Sequence, residues 1–221
     1  MSADLLETLP LVQRLALSYS PPRAREQTLT LLALDARLAA ILRTRSEPMI
    51  AQLKLAWWRD RLGEERETSP SGEPLLARLA DWRGETTLLL PLVDGWEALL
   101  AEDLDKTRMA EFADGRAAAW CALAGDRGDA AALDVRHAIE QAARSWGLAD
   151  LALHLRAGDE ARMVREAALA QDWAVPRLPK DLRALAVLHA LAGRAVQRAS
   201  GEVLDGAGAA MLALRVGLTG R

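Results

Sequence analysis

Two long amphipathic helices are predicted between Leu29 and Leu62, and they constrain the fold more than any other part of the chain. In the first helix, aliphatic residues recur at steps of three and four and therefore share one helical face: Leu31, Leu34, Leu38 and Ile41. The second helix is predicted to begin near Pro48, because proline is tolerated in a first helical turn. It is predicted to end at Gly63, since glycine commonly terminates helices.

The second helix carries more apolar residues than one buried face requires. They cover more than half of its circumference: Met49, Ile50, Leu53, Leu55, Trp57, Trp58 and Leu62. A helix on the outside of a small bundle needs only a narrower apolar stripe. The pattern therefore predicts a central helix that contacts neighbours on several sides.

The composition favours helices throughout. Leu, Ala, Arg and Glu dominate, while the chain holds only one Tyr and one Phe beside its seven Trp. No alternating strand pattern extends beyond a few residues, so the predicted class is all-α. A length of 221 residues favours one domain spanning residues 1–221. The polar segment 63–73, GEERETSPSGE, predicts an exposed loop.

Further helices are predicted from capping residues, prolines and apolar spacing. Their predicted ranges are 3–18, 74–82, 86–102, 106–123, 129–156, 159–173, 181–200 and 207–218, and the first of the two long helices is predicted over 23–44. The range 129–156 is read either as one helix or as two helices with a kink at Gly147. No repeat period of 20 to 50 residues is present, which disfavours a solenoid.

Charge and cysteine content argue against several classes of protein. The formal net charge is −3 and the arginines alternate with acidic residues, so no basic surface for nucleic acid is expected. The single cysteine, Cys121, cannot form an internal disulfide and fits a reducing compartment. The first ten residues, MSADLLETLP, resemble no targeting segment, so a cytoplasmic location is expected. No transmembrane segment is expected either, although peripheral membrane contact stays open.

Several segments, in this order along the chain, resemble the squalene/phytoene synthase family. They are Tyr19-Ser-Pro-Pro-Arg-Ala-Arg25, Leu31–Asp35, Glu47–Arg59, Phe112-Ala-Asp-Gly-Arg-Ala, Trp146-Gly-Leu-Ala-Asp-Leu and Val175–Pro179. The segment 47–59 is the most specific, and it resembles bacterial members and the branch that includes a respiratory complex I assembly factor. The resemblance implies an isoprenoid-synthase helical bundle with a deep central cavity.

Active members of that family carry two DxxxD motifs that hold Mg²⁺ on the diphosphate of a prenyl substrate. This chain departs from both motifs. Ala39-Ala-Ile-Leu-Arg43 stands where the first is expected, and only Asp150 and His154 share the spacing of the second. No catalytic residue, metal ligand or cofactor is therefore predicted, and Mg²⁺ enters only if the chain is an active prenyltransferase.

Seven residues are candidates for ligand binding: Tyr19, Arg25, Asp35, Arg43, Trp58, Arg59 and Asp150. Each has a plainer interpretation. Asp35 is either a cavity carboxylate, or the ion-pair partner of Arg25, Arg37 or another nearby arginine, or exposed to solvent, because burying it unpaired is costly. Arg25, Arg43 and Arg59 are either an anion site or solvated side chains. Trp57 and Trp58 are either a pocket wall or core packing.

Three functions remain open from the sequence. The leading hypothesis is a non-catalytic protein that binds an isoprenoid or other lipid, or that serves as an assembly factor with a protein partner. The alternative is an active prenyltransferase that condenses prenyl diphosphates head to head in terpenoid biosynthesis. A second alternative is a helical interaction subunit whose cavity is filled by side chains.

Overall fold

The computed structural model describes residues 2–43, 47–64, 72–125 and 130–221, and these residues form helices without a strand. The helices are α1 (Ser2–Thr8), α2 (Leu11–Ser18), α3 (Pro22–Arg43), α4 (Pro48–Gly63), α5 (Pro74–Leu79), α6 (Leu90–Ala98), α7 (Lys106–Ala124), α8 (Ala130–His154), α9 (Asp159–Leu169), α10 (Arg183–Gln197) and α11 (Gly206–Thr219). The all-α prediction is confirmed.

The buried apolar side chains form one continuous cluster. Two helices lie deepest in it. Helix α10 is buried along almost its whole length, and α3 is buried from Thr28 to Ala36 without a break. A helix that is apolar on all sides belongs in the interior, whereas an amphipathic helix lies at the surface. The core therefore centres on α3 and α10.

Small residues allow α6 and α7 to pack closely. A Cβ atom on Gly115 would lie 2.2 Å from the carbonyl oxygen of Pro91, and one on Gly95 would lie 3.0 Å from the carbonyl oxygen of Glu111. Backbones can approach this closely only where no side chain intervenes. The crossing places Trp96 of α6 beside Arg116 of α7, which matters for the site.

The predicted helix over residues 3–18 is wrong as a single helix. The structure has two helices, α1 and α2, separated by Leu9 and Pro10. Pro10 has ψ 149° and immediately precedes α2. Proline has no N–H to donate and disrupts a helix interior, so α2 starts anew after it.

Other boundaries shift by smaller amounts. The predicted helix 86–102 is a 3₁₀ turn, Thr86–Leu89, followed by α6, which ends at Ala98. The helix predicted over 181–200 likewise starts with a 3₁₀ turn, Lys180–Leu182, before α10. Helix α8 is continuous through Gly147, so the single-helix alternative holds.

The central position predicted for α4 is wrong. Its buried residues are only Ala51, Leu55, Trp58 and Leu62. The opposite face is apolar and exposed, and it comprises Met49, Ile50, Leu53 and Trp57. Helix α4 therefore lies at the outside of the bundle, with one face that the described residues do not cover.

The exposed loop predicted over 63–73 falls largely on residues 65–71, which lie outside the described residues. Within the described ranges, Gly63 and Glu64 are exposed at the end of α4, and Gly72 is exposed before α5. None of the described helices combines the length and the apolar character that crossing a membrane requires.

Candidate functional site

A cavity of about 660 Å³ opens between α2, α3, α6, α7, α8 and the segment before α11. Much of its wall is apolar, with side chains that include Leu11, Val12, Ala36, Ala39, Leu42, Trp96, Leu99, Leu104, Phe112, Leu151, Val203 and Leu204. Helix α3 contributes Asp35, Ala39 and Arg43, at steps of four, so these three side chains project from one helical face. The volume lies within the roughly 300–1,000 Å³ typical of small-molecule sites.

Three charged side chains meet at this cavity. The guanidinium of Arg116 lies between the carboxylates of Asp35 and Asp150. Its Nη1 donates to Asp150 Oδ2 at 2.8 Å, its Nε donates to Asp35 Oδ1 at 3.2 Å, and its Nη2 lies 2.9 Å from Asp35 Oδ2. Each nitrogen of the guanidinium thus faces a carboxylate oxygen. We call Asp35, Arg116 and Asp150 the buried triad.

The triad is deeply buried at its centre. The side chain of Arg116 is 2% exposed, whereas that of Asp150 is 22% exposed. The Arg116 guanidinium also lies against three aromatic rings, at 4.5 Å from the Trp146 centroid, 4.8 Å from Phe112 and 5.1 Å from Trp96. Contacts of this kind stabilise a cation that has lost its hydration. The two carboxylates and the three rings therefore stabilise one buried positive charge.

Trp96 contacts both the Arg116 guanidinium and the Asp35 carboxylate. Its indole Nε1 donates a hydrogen bond of 2.8 Å to Asp35 Oδ1. The same oxygen accepts from Arg116, so Oδ1 has two donors, while Asp35 Oδ2 is buried and accepts no hydrogen bond from the described residues. Asp35 Oδ2 therefore meets Arg116 through the ion-pair contact of 2.9 Å with Nη2 and not through a hydrogen bond.

Burial raises the pKa of Asp35, although the charge of Arg116 opposes this effect. Burial acts to lower the pKa of Arg116, but the charges of Asp35 and Asp150 outweigh it, so that pKa is raised. The guanidinium consequently stays charged, and the two carboxylates depend on it for compensation.

Further charges line the cavity beyond the triad. Acidic side chains are contributed by Glu102, Glu160 and Glu202, and a basic side chain by Arg43. His154 is one turn from Asp150 on α8, and its Nδ1 lies 2.7 Å from the backbone carbonyl oxygen of Asp150 and 3.5 Å from Oδ1. Carboxylates therefore outnumber cations among the described residues around the cavity.

The structure brings three of the seven candidate residues together. Asp35, Arg43 and Asp150 all line the cavity, although they are far apart in sequence. Asp35 also has an arginine partner, as its plainer interpretation proposed, but the partner is Arg116 rather than Arg25 or Arg37.

The other four candidates lie elsewhere. Tyr19 packs against α11, where a Cβ on Gly217 would lie 2.2 Å from its ring. Trp58 is buried in the core, edge-on to Trp57, and does not line the cavity. Arg25 is exposed on α3. Arg59 forms ion pairs with Asp94 and Glu97 at a separate surface depression.

The proposed anion site of three arginines is not assembled. Arg25 and Arg43 are at opposite ends of α3, and eighteen residues of helix separate them by about 27 Å. Arg59 is already paired with two carboxylates, at 2.6 Å to Asp94 Oδ1 and in direct contact with Glu97. Only Arg43 of the three is positioned to meet a ligand in the cavity.

Sequence reasoning missed Arg116 and Trp96. A signal for Arg116 was present, because Phe112 and Arg116 are four residues apart on α7 and both project toward the cavity. Nothing near Trp96 in sequence reveals its partner, since 61 residues separate it from Asp35.

The residues at this site do not fit the Mg²⁺ ions of active squalene/phytoene synthases. Magnesium needs several oxygen ligands in near-octahedral geometry. Both carboxylates of the triad are instead directed at a guanidinium, and no group of three or more His, Cys, Asp or Glu side chains is arranged around a common point in the described part of the chain.

No family model matches the chain, and comparisons with curated proteins and with solved structures also gave no match. The resemblance to squalene/phytoene synthases consequently rests on the sequence motifs alone.

Proposed function

We propose that this protein binds an isoprenoid or another lipid with a long apolar chain, on a scaffold of the squalene/phytoene-synthase type, without metal-assisted diphosphate chemistry. One observation carries the proposal: an apolar cavity holds two carboxylates that are joined by Arg116. The apolar wall favours a chain of methyl and methylene groups, because burying such surface releases it from water.

The cavity is open to a ligand. Ala36 and Ala39 contribute only methyl groups to the wall that α3 presents, which leaves space opposite the rings of Trp96 and Phe112. This arrangement supports binding over the alternative in which side chains fill the interior.

The position of Arg116 argues against prenyl transfer. Departure of a diphosphate needs metal ions that stabilise the developing charge on its oxygens. Arg116 presents one positive charge, and its three nitrogens face Asp35 and Asp150 rather than open space. We therefore expect no pyrophosphate release when the purified protein is incubated with farnesyl diphosphate and Mg²⁺.

Ligand-dependent thermal unfolding tests the binding proposal. Farnesol and geranylgeraniol are expected to raise the melting temperature progressively with concentration, because a ligand that binds only the folded state stabilises it. The variant Ala39→Phe fills the cavity from α3 and should lose this response. Ala110→Phe places the same ring at an exposed position of α7 and should keep it. An equal response of both variants, or no response of the natural protein to any chain length, would refute the proposal.

A second candidate function, an assembly or scaffold role, is favoured by the exposed face of α4. Met49, Ile50, Leu53 and Trp57 lie on one side of this helix and are not covered by the described residues. Contiguous exposed apolar surface of this kind often contacts another protein. Under this candidate the native protein would co-purify with a partner at a fixed ratio, and Leu53→Glu would disrupt that complex without changing the lipid response.

A further inference from the structure

Arg116 contacts three of the four carboxylate oxygens of the buried triad. Its Nε and Nη1 donate to Asp35 Oδ1 and Asp150 Oδ2, and its Nη2 lies 2.9 Å from Asp35 Oδ2. Asp35 Oδ2 is buried, so a ligand in the cavity does not reach it. The fourth oxygen, Asp150 Oδ1, is the one that a hydrogen-bond donor on a ligand would satisfy.

Asp150 is the member of the triad that a ligand can touch. Its side chain is 22% exposed, against 4% for Asp35 and 2% for Arg116. Arg116 donates to Oδ2 of Asp150, which leaves Oδ1 with His154 Nδ1 at 3.5 Å as its nearest partner. That histidine nitrogen lies closer to a backbone carbonyl, at 2.7 Å, and donates there. Oδ1 of Asp150 is thus available to a ligand.

The summed charge of the side chains that line the cavity is negative. The described lining residues include five carboxylates: Asp35, Glu102, Asp150, Glu160 and Glu202. They include two guanidiniums, those of Arg43 and Arg116, so the formal sum is −3 with His154 neutral. A negative cavity attracts a cation and repels an anion such as a diphosphate, most strongly where water is excluded.

We propose that the bound lipid carries a hydrogen-bond-donating head group, best a primary ammonium and next a hydroxyl, which donates to Asp150 Oδ1. This inference rests on the proposed function and specifies its ligand class. It reverses the charge preference of a prenyl diphosphate site, because Arg116 supplies the cavity's buried positive charge and leaves a surplus of acceptors for the ligand.

Three ligands with one chain and different head groups test the inference: geranylamine, geraniol and geranyl diphosphate, each titrated calorimetrically with and without Mg²⁺. We expect geranylamine to bind at least about tenfold more tightly than the diphosphate, with geraniol between them, since a hydrogen bond to a charged group outweighs a neutral one. Mg²⁺ should not restore diphosphate binding. Diphosphate affinity equal to that of the amine would overturn the inference.

The variant Asp150→Asn locates the interaction. It should remove the advantage of geranylamine over geraniol, because the amide carries no charge. The matched control is Asp114→Asn, which removes a carboxylate from a surface ion pair with Arg144 and should keep that advantage. An advantage that persists in Asp150→Asn would show that the amine binds elsewhere and would overturn the inference.

The outcomes separate this inference from the proposed function. Equal affinity for all three ligands would mean that the chain alone is recognised, which overturns the head-group inference and retains lipid binding. No binding of these ligands, together with no thermal response to farnesol or geranylgeraniol, would overturn both.

Discussion

Replacing Arg116 with methionine should strongly destabilise the protein. Methionine retains an unbranched side chain against Trp96, Phe112 and Trp146 but removes the cation that lies between Asp35 and Asp150. Breaking a buried ion pair by removing one partner costs roughly 3 to 5 kcal/mol, because the remaining charge is uncompensated. We therefore expect the free energy of unfolding to fall by about 3 to 5 kcal/mol at pH 7.

The pH dependence of this loss identifies its cause. Burial already raises the pKa of Asp35, and without Arg116 this folded-state pKa lies further above that of the unfolded chain. The folded variant then binds more protons than the unfolded chain, so its stability rises as the pH falls toward 5. The difference between the natural protein and the variant should shrink over that range. A packing defect would show no such recovery.

Urea unfolding followed by tryptophan fluorescence measures these free energies. The control Arg144→Met removes an arginine from a surface ion pair with Asp114. The side chains of Arg144 and Asp114 are 49% and 52% exposed, so this change should lower the free energy of unfolding by at most about 1 kcal/mol. Adding Asp35→Asn to Arg116→Met should recover part of the loss, which a double-mutant cycle would report as coupling. A loss below about 1 kcal/mol for Arg116→Met, or one that does not change with pH, would refute the reasoning.

Two further changes test other parts of the structure. Trp58→Ala should lower the free energy of unfolding by roughly 3 to 5 kcal/mol, because Trp58 is 3% exposed in the core. A loss under about 1 kcal/mol would contradict that burial. Burial lowers the pKa of His189 below its ordinary value of 6.5, so the unfolded chain binds more protons and stability should fall as the pH drops below 6.5. His189→Gln should flatten this part of the stability curve in denaturant titrations at pH 5 to 7, and an unchanged curve would contradict the assignment.

The helices that the sequence predicts best are those with strong local signals. Helices α3, α4, α7 and α11 begin and end within one or two residues of their predicted bounds. Each has apolar residues at regular spacing with a proline, a capping residue or a glycine at an end, and these are local properties. Pro10 shows the limit of the spacing signal, since the apolar pattern continues through it while the helix does not.

Burial is harder to predict because it depends on neighbours that are remote in sequence. The apolar residues of α4 indicate a helix that could be covered on several sides, but only one face meets the bundle. Met49 and Leu53 are as apolar as Leu55 and Leu62, so composition cannot distinguish the exposed pair from the buried pair. The position of α4 is set by its packing against α3 and α6.

The same argument applies to the cavity charges. Asp35 and Asp150 were recognisable as candidates, whereas Arg116, 81 residues from Asp35 and 34 from Asp150, was not matched to them. The chain contains many arginines, and the packing of α7 against α3 and α8 places this one between the two carboxylates. Its neighbour Gly115 lets α7 approach α6 closely, and Trp96 of α6 donates to Asp35.

A guanidinium and a magnesium ion perform different tasks in a cavity of this type. A bound Mg²⁺ ion brings two positive charges and coordination positions that a diphosphate can fill. Arg116 brings one charge, and its planar N–H groups are directed at Asp35 and Asp150. It therefore compensates the two carboxylates instead of offering coordination positions to a ligand. In the lipid-binding function that we propose, the triad forms a charged part of the cavity wall and the apolar part contacts the chain.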